Sequence, residues 1–95
     1  MERTYLKVEW KHDIEGEPVL LFSELDGDRM ELRKIEVYRD GRADRADFQG
    51  RSGSTKLSIE PLPSIGDIAS DPQFIPESIT REEFESLWVQ GNSHT

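Results

Sequence analysis

Four of the chain's five prolines, Pro61, Pro63, Pro72 and Pro76, fall within residues 61–76. Each fixes φ and removes a backbone donor, so this segment is predicted to hold no long regular element. The apolar residues between them, Leu62, Ile65, Ile68, Phe74 and Ile75, are too many for a free linker. The expectation is a packed connector between a strand-rich N-terminal part and a helical C-terminal part. Ile65 and Ile68 stand three apart, the spacing of a short helical turn over residues 64–70 that faces both inward.

Ahead of the connector, residues 5–12 alternate, with Leu6, Val8 and Trp10 on one side and Lys7, Glu9 and Lys11 on the other. That is the pattern of a half-buried strand. Pro18 suits the first position of a second strand, where a missing donor is tolerated, and Val19-Leu20-Leu21-Phe22 is apolar on both faces. Asp26-Gly27 fits a tight hairpin turn at positive φ and leads to a third strand over residues 29–39. In that strand Met30 and Leu32 have the opposite parity to Ile35 and Val37. A bulge near Arg33-Lys34 is expected to bring all four to one face, unless both faces are covered. Asp40-Gly41 marks a second turn, residues 42–48 a weakly patterned fourth strand, and residues 56–59 a brief fifth. The doubled Arg-Ala-Asp at residues 42–47 is too short for a repeat architecture and reads as solvated edge-strand chemistry.

After the prolines, Thr80 and Glu83 form a capping box, with Ile79 placed to staple onto Phe84. Phe84, Leu87 and Trp88 share one face of a helix expected to run to Gln90 and stop at Gly91. The predicted fold class is α+β. It is an antiparallel meander of four to five strands with a proline-rich connector, a short helical turn and one C-terminal helix packed on one face. Residues 1–91 are expected to form a single domain and residues 92–95 a disordered tail.

At 95 residues there is room for one modest core, which excludes a two-domain enzyme with an interdomain cleft. The absence of cysteine excludes a disulfide framework and a thiolate metal site, and suits a reducing compartment, here the cytoplasm. The charged start is unlike a signal peptide, and no apolar run approaches the roughly 20 residues of a membrane span. No membrane association is expected. The net charge is −8, and residues 61–95 set six acids against Arg81 alone. Such a field repels nucleic acid and attracts a basic protein, although acids also serve solubility. The arginines at 29, 33, 39, 42 and 45 are interleaved with acids, so cross-strand ion pairs explain them and no nucleic-acid surface is expected.

No nucleophile motif, zinc signature or nucleotide-binding loop is present, so no catalytic residue, metal or cofactor is assigned. "GRSGST" reads as a flexible loop, and His94 lies in the polar tail. His12, beside Asp13, reads as a strand-end residue with a hydrogen-bonding role. If Leu6, Val8, Trp10, Val19, Leu21 and Leu25 face the helix, Leu20 and Phe22 emerge on the other side with Tyr5 and Tyr38. That apolar patch would be covered by the connector or by a partner, with the chain monomeric or homodimeric accordingly.

The blocks "YLKVEWKHD", "EPVLLFSELD", "RKIEVYRDG" and "DPQFIPESITREEFESLW" resemble the landmarks of a family of small bacterial single-domain proteins of unknown function. The resemblance carries no catalytic residues with it. By analogy with small acidic families that act as antidotes in toxin systems, one functional reading is a non-enzymatic, immunity-type inhibitor of a basic protein. Its contacts would be Asp67, Asp71, Glu82 and Glu85, or the patch of Leu20, Phe22 and Tyr38. The alternative is a small ligand-binding protein or enzyme with a pocket of Trp10, His12 and Trp88 between helix and sheet.

Overall fold

A computed structural model describes residues 2–51 and 55–92. The chain is an α+β domain built on one open antiparallel sheet. Its strands are β1 (Thr4–Trp10), β2 (Leu20–Leu25), β3 (Glu31–Val37), β4 (Ala43–Asp47), the two-residue β5 (Gly50–Arg51) and β6 (Phe74–Ile79). The helices are α1 (Ile65–Ala69) and α2 (Arg81–Asn92). The spatial order is β5-β4-β3-β2-β1-β6, so the meander runs outward from β1 and the connector returns to add β6 on β1's free side.

The first four strands form close to their expected positions, and the second turn has the expected chemistry. Gly41 takes φ 92°, its amide donates to the Tyr38 carbonyl, and the Arg42 amide donates to the Asp40 carboxylate. The first turn differs. The positive φ falls on Arg29 at 65° and not on Gly27, because the Asp26 carboxylate accepts from the amides of both Asp28 and Met30 and draws out a longer loop.

Two expected strand positions are corrected. Residues 56–59 form no strand: the Ser58 amide donates to the Glu31 side chain rather than to a neighbouring strand. Conversely, the proline segment contains a six-residue strand, β6, paired from Tyr5↔Ile79 to Trp10↔Phe74. Pro76 is tolerated within it because β6 is an edge strand, where a missing donor need not break a ladder. The bulge is present but sits earlier than expected. Glu24 pairs with Arg33 and Leu25 with Glu31, leaving Leu32 as the extra residue.

The core lies on the face covered by α2. Tyr5, Phe22, Ile35 and Phe84 form its centre, with Leu20, Val37, Ile79, Leu87 and Trp88 packed around them. This reverses the expected sidedness, since the helix seals Tyr5, Leu20 and Phe22 instead of Leu6, Val8 and Leu21. The reason is the staple. Ile79 ends β6 directly opposite Tyr5, so a helix beginning two residues later falls on Tyr5's side of the sheet. The capping box forms, with the Glu83 amide donating to Thr80 Oγ1 and the Thr80 amide to Glu83 Oε1. Helix α2 runs through Gly91 to Asn92 and does not stop at Gly91. Residues 93–95 of the predicted tail, His94 among them, lie outside the described residues, as do residues 52–54 of "GRSGST".

Phe84 is fully buried, so Phe84→Ala is expected to cost about 3–5 kcal/mol. Ile75, 43% exposed on β6, should tolerate alanine within about 0.5 kcal/mol. Urea unfolding of the two variants checks this; similar midpoints would place the core elsewhere.

Candidate functional site

The face opposite α2 is covered by the connector, which is tied down at three points. At β3, Thr55 Oγ1 donates to Glu36 and the Ser58 amide donates to Glu31 Oε1 at 2.7 Å. At the first turn, the Leu62 amide donates to the Arg29 carbonyl, while the Arg29 side chain donates back to the carbonyls of Leu62 and Pro63. At the far side, the chain joins the sheet as β6. Between the last two ties, α1 bridges over the sheet, capped by Ser64 Oγ, which accepts the Asp67 amide at 3.1 Å. No residue of α1 is fully buried.

Beneath that bridge lies a cleft of about 380 Å³. Its floor is Leu6 and Val8 of β1 and Leu21 of β2, and Phe74 closes one end. Leu62, Pro63 and Ile68 form the roof, with Asp67 and Asp71 at the α1 end. Ser23, Glu31 and Lys34 form the polar end at β2 and β3. Glu31 is only 4% exposed, and it accepts from Ser23 Oγ at 2.8 Å as well as from Ser58. The Lys34 ammonium lies 3.9 Å from Glu31 and 3.7 Å from Glu36, a cation set between two carboxylates.

The other buried carboxylate serves the helix face. Glu24, 3% exposed, receives Arg33 through two hydrogen bonds of 2.7 and 3.1 Å and the Tyr5 hydroxyl at 2.9 Å. Arg33 also donates to both oxygens of Glu85 on α2, and its guanidinium lies 4.9 and 5.0 Å from the Phe84 and Trp88 ring centres. Burial alone would raise the Glu24 carboxyl, but the hydrogen bonds from Arg33 and Tyr5 outweigh it and hold it below the ordinary carboxylate range. Glu85 is lowered mainly by its hydrogen bonds from Arg33. The Tyr5 hydroxyl is raised by burial and by donating to Glu24.

The sequence-predicted site residues therefore separate. Glu85 fastens α2 to the sheet, Phe22 is in the core, and Leu20 packs against it. Tyr38 is buried beneath the Arg42 guanidinium. Trp10 and Trp88 lie on opposite faces: Trp10 stacks on Phe74 and meets His12 at a tilt, whereas Trp88 stacks on Phe84 below Arg45. Both His12 nitrogens are engaged, with Nδ1 accepting the Ile14 amide and Nε2 donating to the Pro18 carbonyl. Asp67 and Asp71 do come together at the cleft, and Glu82 is exposed on α2. Sequence reasoning missed Leu21, Glu31 and Lys34. For Glu31 and Lys34 the signal was the parity conflict in β3, because a residue displaced by a bulge brings positions three apart to one face.

Among the described residues, no group of three or more His, Cys, Asp or Glu side chains is placed to hold a metal ion, and no helix is long and apolar enough to cross a membrane. A family model described as a domain of unknown function, DUF6881, matches residues 4–93. The chain belongs to this family. The match spans every strand and both helices, so the connector and its cleft lie within the family's domain. No curated protein and no solved structure matches the chain.

The buried clamp predicts a pH dependence. Both carboxyls titrate below their unfolded values, so their contribution is complete above the unfolded carboxylate range near pH 4–4.5. It is lost as pH falls through the lowered folded values. Arg33→Met leaves Glu24 buried and unpaired and should cost about 3–5 kcal/mol at neutral pH. Glu85→Gln, on a side chain 37% exposed, should cost about 1 kcal/mol or less. Urea midpoints across the acid range check both, and equal losses would refute the clamp.

Proposed function

We propose that this domain is a non-enzymatic protein-binding module whose acidic C-terminal third meets a basic partner, as an immunity-type inhibitor covers a basic toxin. The supporting observation is the division among its carboxylates. Glu24, Glu31, Glu36 and Glu85 are engaged within the fold by arginine or lysine. Asp67, Asp71 and Glu82 have no cation within ion-pair distance among the described residues, and all three are exposed. Charge left unpaired at a surface steers a partner of opposite sign and fixes its orientation more than it adds affinity. Exposed Glu9, Asp13, Glu15 and Glu17 lack such a cation too, and the proposed interface is the connector and the start of α2 because residues 61–95 set six acids against Arg81 alone.

The alternative of a pocket between helix and sheet would need Trp10, His12 and Trp88 together, whereas Trp10 and His12 meet on one face of the sheet and Trp88 stacks on Phe84 on the other.

The test is kinetic. The immobilised domain is used to isolate a basic protein from cell extract, and binding of that purified protein is measured against Asp67→Lys/Asp71→Lys/Glu82→Lys. The triple variant should associate at least about tenfold more slowly at low salt, with the difference shrinking at high salt. Equal association rates would end this reading.

A further inference from the structure

We infer that the cleft beneath the connector is a binding site for a small organic cation with an apolar body, such as an arylalkyl ammonium or guanidinium compound. Three observations converge on it. The first is size and shape. About 380 Å³ lies within the ~300–1,000 Å³ of small-ligand clefts, and the space is walled on two sides by the sheet and α1.

The second is unfinished burial. Leu21, Leu62, Ile68 and Phe74 line the cleft and are each only partly buried. The connector does not settle onto the floor because its ends are fixed, at Arg29 by three hydrogen bonds and at β6 by the ladder to β1. An apolar body inserted there removes from water the surface that α1 leaves wet.

The third is the sign of the charge that remains. At the β3 end, Glu31 is satisfied by Ser23 and Ser58, and Lys34 is balanced by Glu31 and Glu36. At the α1 end, Asp71 uses one carboxylate oxygen to accept the Gln73 amide, and the Asp67 carboxylate has no hydrogen-bond or ion-pair partner among the described residues. The unbalanced charge in the lining is negative and lies at one end. A cation's head group accordingly sits between Asp67 and Asp71, with its body over Leu6, Val8 and Leu21 toward Ser23. An anionic ligand would find its only candidate partner, Lys34, already flanked by two carboxylates. The site shares Asp67 and Asp71 with the proposed protein-binding surface but needs no protein partner, and Leu21 on the cleft floor belongs to this site alone, so a substitution there separates the two.

Amide chemical shifts of the whole chain titrated with phenethylammonium test it, with phenethyl alcohol and hydrocinnamate as neutral and anionic matches. Saturable shifts at Val8, Leu21, Ser23 and Ile68, stronger for the cation than for either match, are expected. Asp67→Asn/Asp71→Asn, at exposed positions, should weaken the cation about tenfold and bring it level with the alcohol. Leu21→Trp, where its spectrum remains dispersed, should abolish the shifts by filling the floor while leaving any surface-bound protein partner unaffected. Equal or tighter binding of hydrocinnamate or the alcohol, an unchanged affinity in the asparagine variant, or no saturable shift would each overturn the assignment.

Discussion

One extra residue, Leu32, decides what each face of this sheet can hold. Glu24 and Leu25 are neighbours on β2 and so point to opposite faces. Without the bulge their partners on β3 would be Arg33 and Leu32, and Glu31 would share the helix face with Arg33. With it, Leu25 stands opposite Glu31, which turns to the connector side beside Ser23 and Lys34. Arg33 stays on the helix side, where it joins Glu24 to Glu85. Two buried carboxylates thus end on opposite faces, each with the partners that burial demands. A buried charge has few acceptable neighbours. Glu24 accepts Arg33, which brings α2, and Glu31 accepts the Ser58 amide, which brings the connector. The covering of both faces is specified by these polar contacts as much as by apolar area.

The parts of the fold that were legible in the sequence are those fixed by local chemistry. Alternation from Tyr5, the turn at Gly41 and the capping box at Thr80 each depend on residues within one turn or strand, and each formed, the first as a strand that ends at Trp10 and not at His12. What misled was inference across elements. Leu6, Val8 and Trp10 look like the better core face, yet α2 lies on Tyr5, because the pairing of Ile79 with Tyr5 sets the side from which the helix starts. No local pattern records that pairing. The parity conflict in β3 did announce a bulge, but four apolar residues suggested that its purpose was a continuous apolar face. Its effect is to sort Glu31 from Arg33, a polar purpose that hydrophobic periodicity does not register.

The candidate site was half legible for the same reason. Asp67 and Asp71 stand out in sequence as an acidic pair near a helical turn, and they meet at the cleft. Leu21, Glu31 and Lys34 read as ordinary strand residues and become a cleft lining only when the connector crosses above them. Glu85 shows the reverse error. In sequence it matches Glu82 as an exposed acid, whereas in the fold Arg33 claims it.

A charge of −8 is therefore a poor description of the surface, since part of it is internal structure. The acids at β3 and on the inner flank of α2 hold covers onto the sheet. Those on the connector and at the start of α2 do not, and two of them, Asp67 and Asp71, line the cleft that the connector leaves beneath it. Pro76 contributes to this arrangement. An edge strand lacking one donor is less inviting to another chain's strand than a complete edge, so β6 closes the connector's path without offering an open ladder. The proline-marked segment, which joins the strands to the helix in sequence, thus brings together exposed acids without a cation, Asp67 and Asp71, and partly buried apolar residues, Leu62, Ile68 and Phe74.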